Sequence, residues 1–343
     1  MGESTLLSYE IKKLELKHTW TIARGSSDLK QNVIVRLEKD GVIGYGEAAP
    51  NVRYGESPES TIAVIEEAIP LFEREDLWNF VELGFAIREL DPAQTAAKAA
   101  LDIALMDWIA KSLGVPLYRY FGLNKIDVPI TSFTIGIDEP KVISKKVQEA
   151  GRYPLLKVKL GMENDEEIIS AIRAVTDKPL MVDANEGWKN KEEALEKIEW
   201  LASQGVEVIE QPLPASMLEE TRWLRERTDI PILADESVKT AADIPSLATA
   251  FDGINIKLMK AGGLQEALRM VWLAKTLGMK VMFGCMIETS VAISAAASIS
   301  PLADYADLDG NLLITNDPFT GVTVHEGKWM LNDSPGIGVV PRL

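Results

Sequence analysis

The middle of the chain repeats one pattern of hydrophobic and polar positions. Five short apolar runs between residues 155 and 263 each end on a charged residue, with room for one helix and two loops between them. The charged residues are Lys159, Asp183, Glu210, Asp235 and Lys257, at spacings of 24, 27, 25 and 22 residues. Such short apolar runs are typical of parallel strands buried on both faces. Because an unpaired charge inside such a strand is costly, we expect each charge at a strand end, on one common face.

Further apolar runs extend this repeat in both directions. VPITSFTIGI at 128–137 places Thr134 25 residues before Lys159, and two more runs follow at 280–286 and 305–310. Helical patterns fill the gaps between the runs. Eight strands at this regular spacing favour an α/β fold with a closed barrel over an open sheet.

The segments on either side of the repeat have a different pattern. The pattern of residues 5–48 predicts antiparallel strands with a hairpin turn at Asp40-Gly41. The polar stretch TIARGSSDLKQ at 21–31 is expected to be a mobile flap, and helices are expected at 58–69 and 92–113. A short hairpin pattern follows Gly310. We therefore predict an α+β capping domain at 1–122, a barrel at 123–310 and a segment at 311–343 that returns to the cap.

Composition fits this picture and excludes several functions. The chain has 343 residues, which exceeds a single barrel, and 46% of them are hydrophobic. A formal net charge of −16 argues against partners such as nucleic acid or anionic membrane. One cysteine, Cys285, fits a reducing compartment, and without a signal peptide pattern we expect a cytoplasmic protein. Only two histidines occur, both outside the repeat, so a histidine-based catalytic triad is not expected.

Three acidic residues of the repeat indicate a metal site. Asp183, Glu210 and Asp235 come from three consecutive predicted strands and would offer three oxygen ligands at one face. Such ligands suit a hard cation, and Mg²⁺ is the cofactor we expect. The alternative is that they are unrelated surface acids among the 52 in the chain. Each of the three acids stands at the end of an apolar run of the repeat, and this regular position favours a metal site over unrelated surface acids.

Two lysines flank these acids and indicate proton transfer. Lys159 and Lys257 would face each other across the metal strands. Nearby positive charge, including Lys157, and partial burial would lower their pKa and leave some amine neutral. A carboxylate substrate could then lose its α-proton to one lysine and gain a proton from the other on the opposite face. The alternative for Lys157 is a structural salt bridge. Lys260 is expected at the surface.

These motifs resemble the enolase superfamily, muconate-lactonising subgroup. The resemblance rests on KVK, VDAN, EQP, ADES and IKxxKxGG, in this order, and spans nearly the whole chain. It implies a (β/α)₇β TIM-like barrel with an α+β cap. It also implies that Lys159 and Lys257 are the two acid/base residues, and that Asp183, Glu210 and Asp235 bind Mg²⁺. A lysine base with Mg²⁺ is a known pairing in that superfamily.

One further motif resembles a single branch of the subgroup. Asp307-Leu308-Asp309 is similar to the DxD of dipeptide epimerases, in which the acids receive the ammonium group of the substrate; otherwise this stretch would be a solvated loop. Arg24 matches an arginine that some Ala-Glu epimerases use to hold the glutamate side chain, although a solvated arginine is an equal alternative. The substrate-binding residues that we expect are Arg24, Thr134, Lys157, Asp307, Asp309 and Ile287.

The resemblance, together with the paired lysines and the three acids, therefore implies an isomerase. It would be a Mg²⁺-dependent dipeptide epimerase that inverts the Cα of the C-terminal residue of an L,L-dipeptide such as Ala-Glu, through a metal-stabilised enolate. The alternatives within the subgroup are o-succinylbenzoate synthase, N-acylamino acid racemase and muconate-type cycloisomerase. A non-catalytic metal-binding barrel is more remote, because both lysines are present. We expect a homo-oligomer with a small-molecule dipeptide as its partner.

Overall fold

An antiparallel sheet and four helices form the N-terminal part of the protein. The computed structural model describes residues 4–22 and 25–342. The strands are β1 (Leu6–Ile22), β2 (Gly25–Lys39) and β3 (Val42–Ala48), and the helices are α1 (Pro58–Arg74), α2 (Phe80–Arg88), α3 (Thr95–Ser112) and α4 (Leu117–Tyr120). The sheet packs closely on α3, because a Cβ atom on Gly46 would lie only 1.9 Å from the Ala100 carbonyl oxygen. Glycine at this position therefore sets the distance between sheet and helix.

The expected flap is mostly strand. β1 and β2 pair from Leu6–Glu38 as far as Ile22–Gly25, so residues 21–22 and 25–31 belong to the two strands of this hairpin. The prediction of a polar loop was wrong because both faces of this part of the hairpin are polar, which hides the alternation of a half-buried strand. Arg24 lies outside the described residues.

Eight parallel strands and the helices between them form the second part. The strands are β4 (Phe133–Ile135), β5 (Leu156–Lys159), β6 (Leu180–Asp183), β7 (Val206–Glu210), β8 (Ile232–Ala234), β9 (Gly253–Lys257), β10 (Lys280–Gly284) and β11 (Tyr305–Asp307). The helices are α5 (Pro140–Glu149), α6 (Asp165–Arg173), α7 (Lys191–Ser203), α8 (Leu218–Arg225), α9 (Ile244–Leu247), α10 (Leu258–Ala261), α11 (Leu264–Thr276) and α12 (Ser290–Ile299).

These strands form a closed barrel. They follow one another in sequence order from β4 to β11, each hydrogen-bonded to the next. The two ends meet where the Ser132 amide donates to the Ala306 carbonyl at 2.9 Å, next to a parallel bridge between Thr131 and Ala306. The expected α/β barrel with an α+β cap is confirmed. No helix within residues 4–22 and 25–342 has the length and apolarity needed to cross a membrane.

An apolar layer lies inside the barrel below its polar opening. Met181, Val208, Leu233 and Met282 form a buried cluster there. Met181, Val208 and Met282 lie two residues before the end of their strands, and Leu233 lies two residues before Asp235. Since alternate residues share a face, the next residue on each of these faces belongs to the opening. The layer therefore closes the barrel interior and supports the charged residues above it.

The chain after the barrel contacts both parts of the protein. It forms β12 (Phe319–Thr320), β13 (Thr323–His325), β14 (Lys328–Met330) and β15 (Val340–Pro341). The Leu117 amide donates to the Gly336 carbonyl at 2.7 Å, and the Thr131 amide donates to the Gly327 carbonyl at 2.7 Å. The first contact supports our proposal that residues 311–343 return to a cap formed by 1–122, and that 123–310 form the barrel.

Two buried acids join the cap to the starts of barrel helices. Asp102 of α3 accepts from the Leu264 amide at 2.5 Å and from the Gln265 amide at 3.2 Å, at the start of α11. Glu47 of β3 accepts from the Thr289 amide at 2.8 Å, just before α12. Each carboxylate satisfies amides that a helix start leaves without intrahelical partners. The cap is thereby held above the barrel opening.

Candidate active site

Three carboxylates meet at the barrel opening. Asp183 and Glu210 end β6 and β7, and Asp235 directly follows β8. One oxygen from each lies within 4.8 Å of the others, and all three residues are buried. Parallel strands place their C-terminal ends at one face, which explains this convergence.

The carboxylate set fits a hard divalent cation. It offers only oxygen donors and excludes nitrogen and sulfur, as Mg²⁺ prefers. Burial and the charge of Asp183 raise the pKa of Glu210 to about 8. Burial also acts on Asp183 and Asp235, but the charges of Lys159 and Lys257 outweigh it and lower the pKa of both acids. Glu210 is therefore the carboxylate whose charge a divalent cation would stabilise most.

Neighbouring residues fix the orientation of these acids. Asn255 on β9 donates its side-chain amide to Glu210 Oε1 at 2.8 Å. Gln211 accepts the Asp235 amide at 3.0 Å through its side-chain oxygen. Gln211 has a φ of 38°, a left-handed conformation that costs free energy in a residue other than glycine. Sequence reasoning missed both residues, although Asn255 lies two positions before Lys257 and so shares its face of β9.

Lys159 and Lys257 lie on opposite flanks of the three acids. Lys159 Nζ donates to Asp183 Oδ2 at 2.6 Å, and Lys257 Nζ donates to Asp235 Oδ2 at 2.8 Å. Lys159 belongs to β5 and Lys257 to β9, which border the three acid-bearing strands. The arrangement places one amine on each side of the carboxylate cluster.

The charges around Lys257 raise its pKa, whereas from the sequence we expect neighbouring charges to lower it. Burial lowers the pKa of this lysine, but the charges of Asp235 and Glu210 outweigh burial and raise the pKa above its ordinary value. The carboxylates, rather than neighbouring cations, therefore dominate its surroundings. A cation bound among the same carboxylates would lower the pKa of Lys257.

Lys260 is buried, and its expected surface position was wrong. Its Nζ donates to the carbonyl and side-chain oxygens of Asp235, both at 2.6 Å, and to the carbonyls of Val238 and Asn255, both at 3.1 Å. The short helix α10 turns this lysine back beneath the site. The motif IKxxKxGG contained the signal, because one helical turn after the strand end at Lys257 returns the third following residue, Lys260, to the same side.

Lys157 is also buried and connects two groups of acids. Its Nζ lies 2.7 Å from Glu210 Oε2 and 3.5 Å from Asp183 Oδ2. It donates to Asp307 Oδ2 at 2.6 Å. Burial lowers the pKa of Lys157, but the charges of these three acids outweigh burial and raise it well above the ordinary value. The structural salt bridge weighed for Lys157 is present.

The two acids of the DxD motif are buried beside β4. Asp307 Oδ1 accepts from Ser132 Oγ at 2.6 Å and from Thr134 Oγ1 at 3.2 Å. Asp309 Oδ2 accepts from the Thr134 amide at 2.6 Å. Burial and the charge of Asp307 raise the pKa of Asp309 to about 7. The structure thus brings Thr134, Asp307 and Asp309 together, and Ser132 is an addition that sequence reasoning missed.

Ile287 lies at the edge of the opening. Its side chain is buried in a small cluster with Leu14 and Ile314, and its carbonyl accepts from the Asn32 side chain at 2.9 Å. Cys285 is partly exposed, and its Sγ lies 3.2 Å from the Asp307 carbonyl oxygen. These residues follow β10 and form the wall between the cap and the DxD acids.

Two family models match the chain. Residues 9–122 match the mandelate racemase / muconate lactonizing enzyme N-terminal domain, and residues 142–342 match the enolase C-terminal domain-like family. The two matched regions correspond to the sheet with its helices and to the barrel from α5 onwards with the C-terminal segment.

Individual relatives agree with the family models. The chain is 49% identical over 342 residues to an L-Ala-D/L-Glu epimerase from Bacteroides thetaiotaomicron, a match that covers 98% of this chain and 87% of the relative. The solved structure of a substrate-liganded L-Ala-D/L-Glu epimerase from Bacillus subtilis superimposes with a TM-score of 0.94 at 30% identity, covering 99% of both chains.

A dipeptide epimerase from Methylococcus capsulatus, complexed with Mg and the dipeptide L-Arg-D-Lys, superimposes with a TM-score of 0.92 at 32% identity. This match covers 98% of this chain and 100% of the other. Both the matched domains and these relatives lead to the same assignment. The chain belongs to the mandelate racemase / muconate lactonizing enzyme family of the enolase superfamily.

Proposed function

We propose that this protein is a Mg²⁺-dependent dipeptide epimerase that inverts the Cα of the C-terminal residue of an L,L-dipeptide, with Ala-Glu as the representative substrate. The observation that carries the proposal is the position of Lys159 and Lys257 on opposite flanks of one carboxylate cluster. Two amines on opposite sides can remove a proton from one face of a carbon and return a proton to the other face. The relatives with epimerase names support the same reaction class.

The proposed mechanism assigns one role to each group. Mg²⁺ bound by Asp183, Glu210 and Asp235 would supply positive charge beside the substrate carboxylate, which acidifies the α-carbon and stabilises the enolate. One of the two lysines takes the α-proton as a neutral amine, and the other, as an ammonium, donates a proton to the opposite face. Both lysines are buried, with 7% of each residue exposed, so little water surrounds the α-carbon while the amine protons can still exchange with solvent.

The DxD acids distinguish a dipeptide from other substrates of the subgroup. We propose that Asp307 and Asp309 receive the free ammonium group, with Thr134 orienting them through the hydrogen bonds described above. An ammonium beside two buried carboxylates forms strong charge-assisted hydrogen bonds. The substrates of o-succinylbenzoate synthases and cycloisomerases carry no such cation, and the acyl group of an N-acylamino acid removes its free α-ammonium group, so for them these acids would lack that partner.

Several further assignments are proposals. Lys157 would share its charge between Asp307 and the substrate carboxylate, Ile287 would bound the substrate pocket, and Arg24 would hold the side chain of a glutamate substrate. The free cysteine fits a reducing compartment, so we propose the cytoplasm as the location. The homo-oligomer and the absence of nucleic-acid and membrane partners remain predictions.

Solvent deuterium incorporation tests the proposed function. The Mg²⁺-loaded protein is incubated with L-Ala-L-Glu in D₂O, and ¹H NMR follows the Cα proton of each residue. We expect the glutamate Cα signal to be lost while a second diastereomer forms, with the alanine Cα proton unchanged. The double variant Lys159→Ala, Lys257→Ala is the control.

Two other outcomes would overturn the proposal. Exchange in an N-succinyl amino acid without exchange in any dipeptide of a library would indicate an N-acylamino acid racemase. No exchange in any of these substrates would indicate a non-catalytic barrel.

A further inference from the structure

A cavity of about 320 Å³ lies on the outer side of the barrel. Its walls come from β1, β4, α5 and the residues that follow β11. The carboxylates of the metal site and the lysines beside them do not line it, although Thr134 borders both places. Its volume is at the lower end of the range for small-molecule sites, about 300–1,000 Å³.

The cavity exists because β11 is not followed by a barrel helix. After β11 the chain forms a short turn at Gly310–Leu312 and leaves towards the cap. β1 covers the gap instead, because the Lys17 amide donates to the Leu313 carbonyl at 2.9 Å and a bridge joins Leu16 to Ile314. An extended strand is thinner than a helix, so space remains between β1 and the barrel.

The apolar part of the cavity presents flat rings. Phe133 stacks on Tyr153 with ring centres 4.5 Å apart and planes inclined by 18°. Trp20, Leu16 and Leu313 complete this wall. Such a wall can pack against an aromatic ring or a branched apolar group of a ligand.

The polar part of the cavity has excess positive charge. Lys17 donates to the Leu312 carbonyl at 2.7 Å, and Arg152 donates to the Tyr153 hydroxyl at 2.9 Å, so both cations have neutral partners. Among the residues that the structure describes, neither forms an ion pair with a carboxylate. Burial, followed by the charge of Arg152, lowers the pKa of Lys17. In a chain with a formal net charge of −16, this concentration of cations favours an anion.

The other charged residues of the cavity are already paired. His18 Nε2 lies 3.2 Å from Glu149 Oε2 at the edge of the cavity, and this contact joins β1 to α5. Lys146 donates to Asp138 at 2.9 Å. Lys17 and Arg152 are therefore the two cations left to bind a ligand.

We propose that this cavity binds a small organic anion that carries an aromatic or branched apolar group. The anion accepts hydrogen bonds from Lys17 and Arg152, and the apolar group lies against Trp20 and the stacked rings. The site is separate from the epimerase centre, and its occupancy does not depend on the proposed activity.

Binding of 4-fluorobenzoate, followed by ¹⁹F NMR with the Mg²⁺-loaded full-length protein, tests this site. We expect saturable binding that Lys17→Met and Arg152→Met each weaken about tenfold, as for loss of a charge-assisted hydrogen bond. Lys12→Met is the matched control on the same strand, because Lys12 pairs with Glu10 and does not line the cavity. Leu313→Trp fills the cavity and provides a second test that keeps both cations.

A competition experiment tests whether the probe binds at the active site instead. Saturating L-Ala-L-Glu should leave the bound fraction of 4-fluorobenzoate unchanged, and fluorobenzene, which lacks the charge, should bind at least about tenfold more weakly. The proposal is overturned if the dipeptide displaces the probe. It is also overturned if Lys17→Met, Arg152→Met and Leu313→Trp, each checked for an unchanged thermal midpoint, bind the probe as the parent protein does.

Discussion

Lys157 Nζ lies 2.6 Å from Asp307 Oδ2, and this contact joins the metal-binding carboxylates to the DxD acids across the barrel opening. The same ammonium lies 2.7 Å from Glu210. A change in the charge of either group of acids therefore alters the electrostatic field at the other. The proposed sites for the substrate carboxylate and for its ammonium group are linked through this one side chain.

Asp307→Asn should lower kcat/KM for L-Ala-L-Glu by at least about 30-fold, because removing one partner of a buried, hydrogen-bonded charge pair costs about 2–5 kcal/mol. The variant loses the substrate ammonium contact and also leaves Lys157 short of one counter-charge. Asp309→Asn should cost less, since Asp309 accepts only from Thr134 among the side chains and amides described above. Steady-state kinetics on both variants measures the difference. Unchanged turnover in both would remove the basis for a dipeptide substrate.

Single substitutions of the two lysines should separate the two half-reactions. Lys159→Ala and Lys257→Ala should each abolish epimerisation, because each leaves only one face of the substrate with a base. Each variant should still exchange the α-proton of one diastereomer with D₂O, and the two variants should act on opposite diastereomers. ¹H NMR with L-Ala-L-Glu and L-Ala-D-Glu measures this. If both variants exchanged the same diastereomer, the lysines would not serve opposite faces.

Lys260→Met should weaken Mg²⁺ binding although Lys260 touches no substrate in the proposed mechanism. Its ammonium group shares three N–H donors among four oxygens of Asp235, Val238 and Asn255, so the variant leaves buried oxygens without donors. We expect about a tenfold rise in the Mg²⁺ dissociation constant, measured by isothermal titration calorimetry.

Lys275→Met, an exposed position on α11, is the control for this prediction. A variant with parent-like Mg²⁺ affinity and lower activity would assign Lys260 a role other than positioning Asp235.

The sequence predicted the charged ring of the barrel because one rule governs its five members. Strand length sets where each apolar run ends, and parallel strands bring those ends together, so Asp183, Glu210 and Asp235 could be placed without knowing any contact. Lys260 could not be placed in this way. Its burial depends on how α10 turns beneath Asp235 and packs against the cap, which is a tertiary contact.

Helix α2 was absent from the predicted elements for a related reason. Gly84 interrupts its pattern, and glycine within a helix costs about 1 kcal/mol relative to alanine. The structure explains the glycine, since a Cβ atom there would lie 2.4 Å from the side chain of Gln265 on α11. The close contact of α2 in the cap with α11 of the barrel thus outweighs the low helix preference of glycine. A single sequence does not reveal such a contact.

Asp102 should make the stability of the protein depend on pH. Burial outweighs its hydrogen bonds to α11 and raises its pKa from 3.8 to about 6. Between pH 3.8 and about pH 6, Asp102 keeps its proton in the folded state and has lost it in the unfolded state. The contribution of Asp102 to the free energy of unfolding therefore falls as pH rises through this range. At about 1.4 kcal/mol per pKa unit, the loss is roughly 3 kcal/mol.

Asp102→Asn removes this titration while keeping a side-chain oxygen that can accept from the amides of α11. Urea unfolding of both proteins from pH 4 to pH 7 measures the effect, and the difference in the free energy of unfolding isolates Asp102 from other titrating groups. We expect the parent protein to lose about 3 kcal/mol relative to Asp102→Asn across this range. A difference that stays constant with pH would show that Asp102 has its ordinary pKa in the folded state. A parent protein that gained relative stability with rising pH would show that the contacts to Leu264 and Gln265 outweigh burial.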